Sequence, residues 1–298
     1  MSKRGYPLAE HHVTIVGLGL MGGSLALALR GKCAGITAVD NNSHAIADGL
    51  KRGVIDHGTE SLSEGVGHAD LLVLATPVSA IINLLAQLSQ CKPRSEIALS
   101  VMDLGSTKAE ITAKMATLPA EYNCIGGHPM CGKESSGIAH ANAKLYQNAT
   151  FVLTSLENTS LDTLNLSQEL VIAVGAQPLH MEADRHDRMV ALTSHLPYLL
   201  ACSLVAAVEE YGKADPVIWD LVSTGFRDTT RVAASNVTML IDILRTNKDA
   251  VRAALRQQRR ALESLETALD EDEPILHDTL ADIRRNYRSH FPQASTET

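Results

Sequence analysis

Residues Val13 to Arg30 read VTIVGLGLMGGSLALALR. Val13 to Val16 are four apolar residues in a row and predict a short buried strand, and the apolar pattern from about Met21 to Arg30 predicts a helix. Between them Gly17, Gly19 and Gly22 stand at GxGxxG spacing. A glycine turn between a strand and a helix is the phosphate-binding corner of a dinucleotide-binding βαβ unit. The first glycine allows the tight turn, the second lets the backbone approach a pyrophosphate, and the third lets the helix pack closely on the sheet. Amides at the helix N-terminus then face the phosphates.

The same pattern continues on the C-terminal side. ITAVD, Ile36 to Asp40, is a second strand, SHAIADGLKRG is a helix stopped by Gly53, and DLLVLATP, Asp70 to Pro77, is a third strand with the unbroken apolar run of a parallel sheet covered on both faces. Asp40 ends the second strand 23 residues after Gly17, where a carboxylate accepts bonds from both ribose hydroxyls and repels a 2′-phosphate. Asn41, Asn42 and Ser43 offer no arginine to neutralise such a phosphate, so the expected cofactor is NAD. Its expected contacts are Gly17, Gly19, Leu20, Met21, Gly22 and Asp40, with Thr76 and Pro77 at the end of the third strand.

Further alternation follows: a helix from Val78 to about Ser89, a strand at EIALSVMD, a helix at STKAEITAKMATL opened by a Thr107–Glu110 capping box, and a strand near NCIGG. Strands at TFVLTS and AQPLHM flank a helix at SLDTLNLSQELVIAVG. From Glu182 onward the periodicity is helical, with helices expected near 183–211, 215–224, 236–245 and a long pair over 248–290. The expected fold is α/β: an N-terminal Rossmann-type doubly wound parallel sheet over residues 1–181, then an all-α C-terminal domain over residues 182–298.

Composition narrows the functions. Of 298 residues 45% are hydrophobic and 20% charged, which is globular, and a net charge of −8 without a lysine or arginine block argues against a nucleic-acid partner. Five cysteines, Cys33, Cys91, Cys124, Cys131 and Cys202, sit at no zinc or CxxC spacing, so reduced thiols, no metal site and a cytoplasmic setting are expected. The opening MSKRGYPLAEHH lacks the apolar core of a secretory signal. Met189 to Val208 has the length of a membrane span, but it carries Thr193, Ser194, His195, Pro197 and Ser203 between two charged flanks. A buried helix beside a polar cavity, with no membrane partner, is the expectation.

GGHPMCGKESSGI, Gly126 to Ile138, places His128 at the C-terminal end of a strand, the edge where open α/β sheets bind ligands. A histidine there has the pKa to take the proton of an alcohol whose carbon gives up hydride. Gly126, Gly127 and Gly132 are expected to keep the loop thin for substrate, with Pro129 stiffening it. Cys131 is read as packing, since no acyl chemistry is implied.

GLGLMGGSL, DLGSTK, GGHPMCGKESSGI, TSHLPY and GFRDTTR, in this order, resemble the prephenate/arogenate dehydrogenase family of tyrosine biosynthesis over about residues 12–265. The resemblance implies an NAD-dependent oxidative decarboxylation of prephenate to 4-hydroxyphenylpyruvate, or of arogenate to tyrosine, by a homodimer; another dehydrogenase built of a Rossmann domain and a helical domain is the alternative reading. It implies that His128 accepts a hydrogen bond from the substrate C4 hydroxyl, that Ser106 orients it, that His195 is a second pocket histidine, and that Arg231 grips the ring carboxylate. Arg227 and Asp228 would shape the pocket mouth. On the residues alone, Ser106 also suits a helix start, His195 a satisfied core histidine, and Arg231 an ion pair with Asp228 or Asp242. VTMLID after GFRDTTRVAASN replaces a tryptophan found in some relatives, and about 30 residues after the helical core are too few for an ACT-type regulatory module.

Overall fold

A computed structural model describes residues 8–94, 98–132 and 135–291. Eight strands, β1 His12–Val16, β2 Gly35–Val39, β3 His57–Thr59, β4 Leu71–Leu74, β5 Leu99–Asp103, β6 Tyr122–Pro129, β7 Thr150–Ser155 and β8 Gln177–His180, form one sheet in the order 3-2-1-4-5-6-7-8. Every neighbouring pair is parallel except β6 with β7. Glu96 and Ile97, the expected start of the fifth strand, lie outside the described residues, as do Lys133 and Glu134 of the histidine loop and residues 1–7 of the opening segment.

Six helices accompany the strands: α1 Leu20–Leu29, α2 Ser43–Lys51, α3 Leu62–His68, α4 Val78–Leu88, α5 Ala109–Met115 and α6 Leu161–Ala173. Two apolar clusters form the core, one around Ile15, Leu25, Val73 and Phe151 and the other around Leu72, Leu74, Ile81 and Val101. Alternate residues of β4 fall in different clusters, so this strand is buried on both faces, as its unbroken apolar run predicts. β3 and α3 are not among the expected elements. HGT is only three residues long, and LSEGVGH has two glycines and few apolar positions, so neither shows periodicity. The helix start is held instead by Ser61 Oγ, which accepts from Glu64 N at 3.3 Å.

After β8 the chain is helical: α7 Ala183–Val190, a π-helical turn Ala191–His195, α8 Leu196–Gly212, a 3₁₀ segment Pro216–Leu221, α9 Thr224–Thr230, a 3₁₀ turn Arg231–Ala234, α10 Val237–Thr246, α11 Lys248–Leu269 and α12 Glu273–His290. GFRDTTR, for which no helix is expected, forms α9 and opens the next turn. The described residues divide into two compact units between Lys248 and Asp249. Within the first unit, Asp242 Oδ2 of α10 accepts from Ser79 N at 2.8 Å, so a helix of the late chain caps the N-terminus of α4.

One expectation about burial is corrected. Ala183–Gly212 has a mean hydropathy of 1.6 over its most apolar window, yet only 28% of that window is buried within the chain. Leu192 and Leu204 are each 42% exposed. The segment is long and apolar enough to cross a membrane, and it is not the interior helix expected.

Candidate active site

The nucleotide corner is made by missing side chains. Gly17 adopts φ +98°, in the left-handed region, and a Cβ there would stand 2.6 Å from Thr76 Cγ2 and 2.8 Å from Ala75 O. A Cβ on Gly22 would stand 1.9 Å from Gly17 O, so this glycine allows α1 to rise directly behind the turn. Gly19, the N-cap of α1, faces nothing within 4 Å. That is the open approach a pyrophosphate needs, beside the amides of Leu20 and Met21. Asp40 Oδ2 accepts from Leu18 N at 2.6 Å and Oδ1 from Asn42 N at 2.8 Å, so the carboxylate at the end of β2 also ties down the glycine loop. Thr76 Oγ1 is buried without a hydrogen-bond partner, an orphan polar atom beside Gly17. The open cradle and this orphan fit a bound dinucleotide.

The second cluster gathers where β5 and β6 end. A Cβ on Gly127 would lie 2.4 Å from Asp103 O, so Gly127 is there to let β5 and β6 approach, rather than to admit substrate. Asp103 and Lys108 are both fully buried and paired. Lys108 Nζ donates to Gly127 O at 2.7 Å while Gly127 N donates to Asp103 Oδ1 at 3.1 Å, so the ion pair holds both backbone groups of the residue before His128. Burial pushes the Asp103 carboxyl up and the Lys108 amine down, and their mutual contact opposes both shifts.

His128 lies inside β6, one residue from its end, opposite Val152. It is half-buried, and burial, then the Lys108 cation, then His186 and His195 hold its pKa well below that of a free imidazole. The ring is therefore neutral near pH 7 and able to accept a proton. Its Nδ1 meets His186 Nε2 at 2.8 Å, and His186 Nδ1 meets Asp187 Oδ1 at 2.7 Å.

His195 is 2% exposed, and burial lowers its pKa to about 4, with His186 lowering and Asp187 opposing. Asn247 Nδ2 donates to the carbonyl of Asp187 at 2.7 Å, which fixes the amide orientation, and lies 3.3 Å from His195 Nδ1. His195 thus accepts at Nδ1 and carries its hydrogen on Nε2. The cluster thus sets His195, which keeps a donor on Nε2, beside the neutral ring of His128.

Ser106 sits half-buried in the turn between Asp103 and α5, on the same sheet edge as His128. Arg231 is exposed and opens the 3₁₀ turn after α9. Arg227 and Asp228 are exposed on α9. The expected capping box does not form. Thr107 Oγ1 bonds Thr246 Oγ1 at 2.9 Å, and Asp187 takes the first amides of α5, Lys108 N at 2.7 Å and Ala109 N at 2.9 Å. Burial pushes the Cys131 thiol up to about 11, which suits packing and not a nucleophile. Among the described residues no group of three or more His, Cys, Asp or Glu could hold a metal.

Comparison with known proteins places this geometry. Residues 25–179 match the family model of the prephenate dehydrogenase nucleotide-binding domain, and residues 182–282 that of the prephenate dehydrogenase dimerization domain. The prephenate dehydrogenase of Bacillus subtilis is 32% identical over 283 residues, covering 94% of this chain and 76% of that protein. The crystal structure of prephenate dehydrogenase from A. aeolicus, in complex with hydroxyphenyl propionate and NAD+, superposes with a TM-score of 0.87 at 29% identity, covering 95% of this chain and 99% of that one. Synechocystis arogenate dehydrogenase superposes with a TM-score of 0.80 at 29% identity, covering 94% and 99%. The chain belongs to the prephenate dehydrogenase family.

Proposed function

We propose that this chain oxidises prephenate with NAD, releasing carbon dioxide and 4-hydroxyphenylpyruvate. An NAD-dependent dehydrogenase is the class its relatives define. The observation that carries the reading is His128: a neutral imidazole on the ligand-binding edge of the sheet, its Nδ1 engaged and its Nε2 in no hydrogen bond among the described residues. NAD, when bound at the Gly17–Gly22 turn, supplies the hydride acceptor. His128 Nε2 takes the C4 hydroxyl proton as C4 gives up hydride. Loss of the ring carboxylate as carbon dioxide then delivers an electron pair that makes the ring aromatic, and the new phenolate oxygen recovers a proton.

Ser106 orients the hydroxyl, His195 donates from Nε2 within the pocket, and the Arg231 guanidinium, a planar fork suited to a planar carboxylate, holds the ring carboxylate. Arogenate differs from prephenate by an ammonium in place of a keto group, and the Synechocystis relative is an arogenate dehydrogenase. Coupled release of carbon dioxide and NADH from prephenate tests the reaction. Parallel initial rates with arogenate test the preference, and a faster arogenate rate would reverse it.

The mostly uncovered apolar helix Ala183–Gly212 and the dimerization-domain match over 182–282 support a homodimer, and the start of that match supports a domain boundary near residue 181. Light scattering after gel filtration should give twice the chain mass, and a monomer would remove the dimer.

A further inference from the structure

His128, His186 and Asp187 form a chain in which every hydrogen-bond direction is fixed from the carboxylate end. Lys108 N donates to Asp187 Oδ1 at 2.7 Å and Ala109 N to Oδ2 at 2.9 Å, so both oxygens are acceptors. His186 Nδ1 lies 2.7 Å from the same Oδ1 and must carry the hydrogen of that contact. Nε2 of a neutral His186 is then a lone pair. His128 Nδ1, 2.8 Å away with the rings edge to face, carries the hydrogen of the second contact. The lone pair of His128 is left on Nε2.

We propose that His186 and Asp187 are positioning residues for the reaction at His128, holding its tautomer with the lone pair on Nε2 and receiving its Nδ1 proton whenever Nε2 gains one. The step rests on the function proposed above and balances within it. The substrate O–H bond breaks as hydride leaves C4 for NAD, and an Nε2–H bond forms on His128. The Nδ1–H of His128 passes to His186 Nε2, so the cation comes to rest on the ring that faces Asp187. After decarboxylation the transfers reverse, and the phenolate oxygen takes the proton back.

No proton is gained or lost in a turnover, which suits a relay whose far members are 1% and 4% exposed. The surroundings give the relay its purpose. Lys108 at the start of α5 disfavours a cation on His128, and Asp103 is already paired with Lys108. Asp187 on α7 is the carboxylate that faces the transferred charge. The sequence hides this arrangement, because HD within EADRHDR reads as one more charged pair.

The first test does not depend on turnover. Long-range proton–nitrogen NMR of the protein labelled with ¹⁵N-histidine should show His128 protonated at Nδ1 at neutral pH, and a proton on Nε2 would overturn the proposal. The second uses kcat with saturating prephenate and NAD. His186→Leu should lower kcat by about 10²-fold, the lower end of the range for general acid–base groups, with the KM for NAD unchanged. His186→Gln, whose amide oxygen still accepts from Nδ1–H, should recover about tenfold of that loss. Equal rates for both variants and the wild type would overturn the relay. A wild-type protein inactive on prephenate would instead sink the proposed function, with the NMR result still deciding the tautomer.

Discussion

At the turn between β1 and α1 the working groups are backbone amides, and the side chains matter by their absence. At the end of β6 the working groups are side chains, each oriented by another. The turn is assembled from residues 17–22 with help from Asp40 and Thr76. The histidine cluster draws on β5, β6, the start of α5, α7, the π-helical turn and Asn247. The first region is therefore sensitive to added bulk and the second to altered charge or protonation. A phosphate needs only amides and room, whereas a proton acceptor needs a defined tautomer and a depressed pKa.

The largest expected effect separates the two regions by function. His128→Asn keeps a polar group of similar size but removes the proton acceptor, so kcat should fall by about 10²- to 10⁴-fold. NAD affinity, measured by fluorescence titration, should stay within about twofold, since a twofold change is worth less than 0.5 kcal/mol. An unchanged rate would take the histidine out of the mechanism.

A change of similar size in stability comes from Lys108→Met. It leaves Asp103 as a carboxylate that is 0% exposed with no counter-cation, and breaking a buried pair costs about 3–5 kcal/mol. Chemical denaturation should show that loss. Removing both charges together, Lys108→Met with Asp103→Asn, should cost less than the single change, because no uncompensated charge is left and the amide oxygen still accepts from a backbone N–H of the strand end. A single variant as stable as wild type would mean that the pair does not hold the strand end.

Acid should act on the cluster and spare the turn. His195 has its pKa lowered to about 4, below the usual 6.5, so between these values the unfolded chain binds the proton that the folded chain refuses. Its contribution to stability is fully present above about pH 6.5, is lost as the pH falls toward 4, and is constant below that. At about 1.4 kcal/mol per pH unit the full effect is on the order of 3 kcal/mol. His195→Gln should flatten unfolding free energy against pH across this window, and an unchanged slope would contradict the assignment.

A smaller effect sharpens the contrast from the other side. Gly19→Ala adds a Cβ that meets nothing within 4 Å, so stability should hold while NAD binding weakens roughly tenfold, about 1.4 kcal/mol. Gly22→Ala, with its Cβ 1.9 Å from Gly17 O, should disturb the fold as well. If the two variants behaved alike, the division of labour among the glycines would be wrong.

The same contrast explains what could be read in the chain. Gly17, Gly19, Gly22 and Asp40 lie within one βαβ unit, so spacing alone exposes their roles, and the apolar runs of β1, β2 and β4 show the parallel sheet. His128 and His195 stand out because they break apolar or glycine-rich stretches. Asp187 and Asn247 act across separations of 79 and 60 residues, on the Lys108 amide and the Asp187 carbonyl, and no local pattern carries such pairings. Lys108 looks like an ordinary residue at the start of a polar helix, and only the fold reveals that it is fully buried. The apolar run Met189 to Val208 suggests burial, but periodicity cannot say whether the cover comes from the same chain.

The smallest predicted effect falls on the helix start that the sequence misplaces. A working Thr107–Glu110 box would make Thr107 a cap for α5, and its removal would cost about 0.5–2 kcal/mol with measurable fraying. In the structure Thr246 Oγ1 donates to Asp242 O at 3.0 Å, so Thr107 supplies the hydrogen of the 2.9 Å contact between the two hydroxyls. Thr107→Val therefore deletes one donor and leaves only a spare lone pair on Thr246, at a cost of about 1 kcal/mol or less. Asp187→Ala, by contrast, strips the Lys108 and Ala109 amides and His186 of their shared acceptor, and should destabilise several times more. Hydrogen exchange at the first turn of α5 discriminates: protection should survive Thr107→Val and collapse in Asp187→Ala, and the reverse order would restore the local cap.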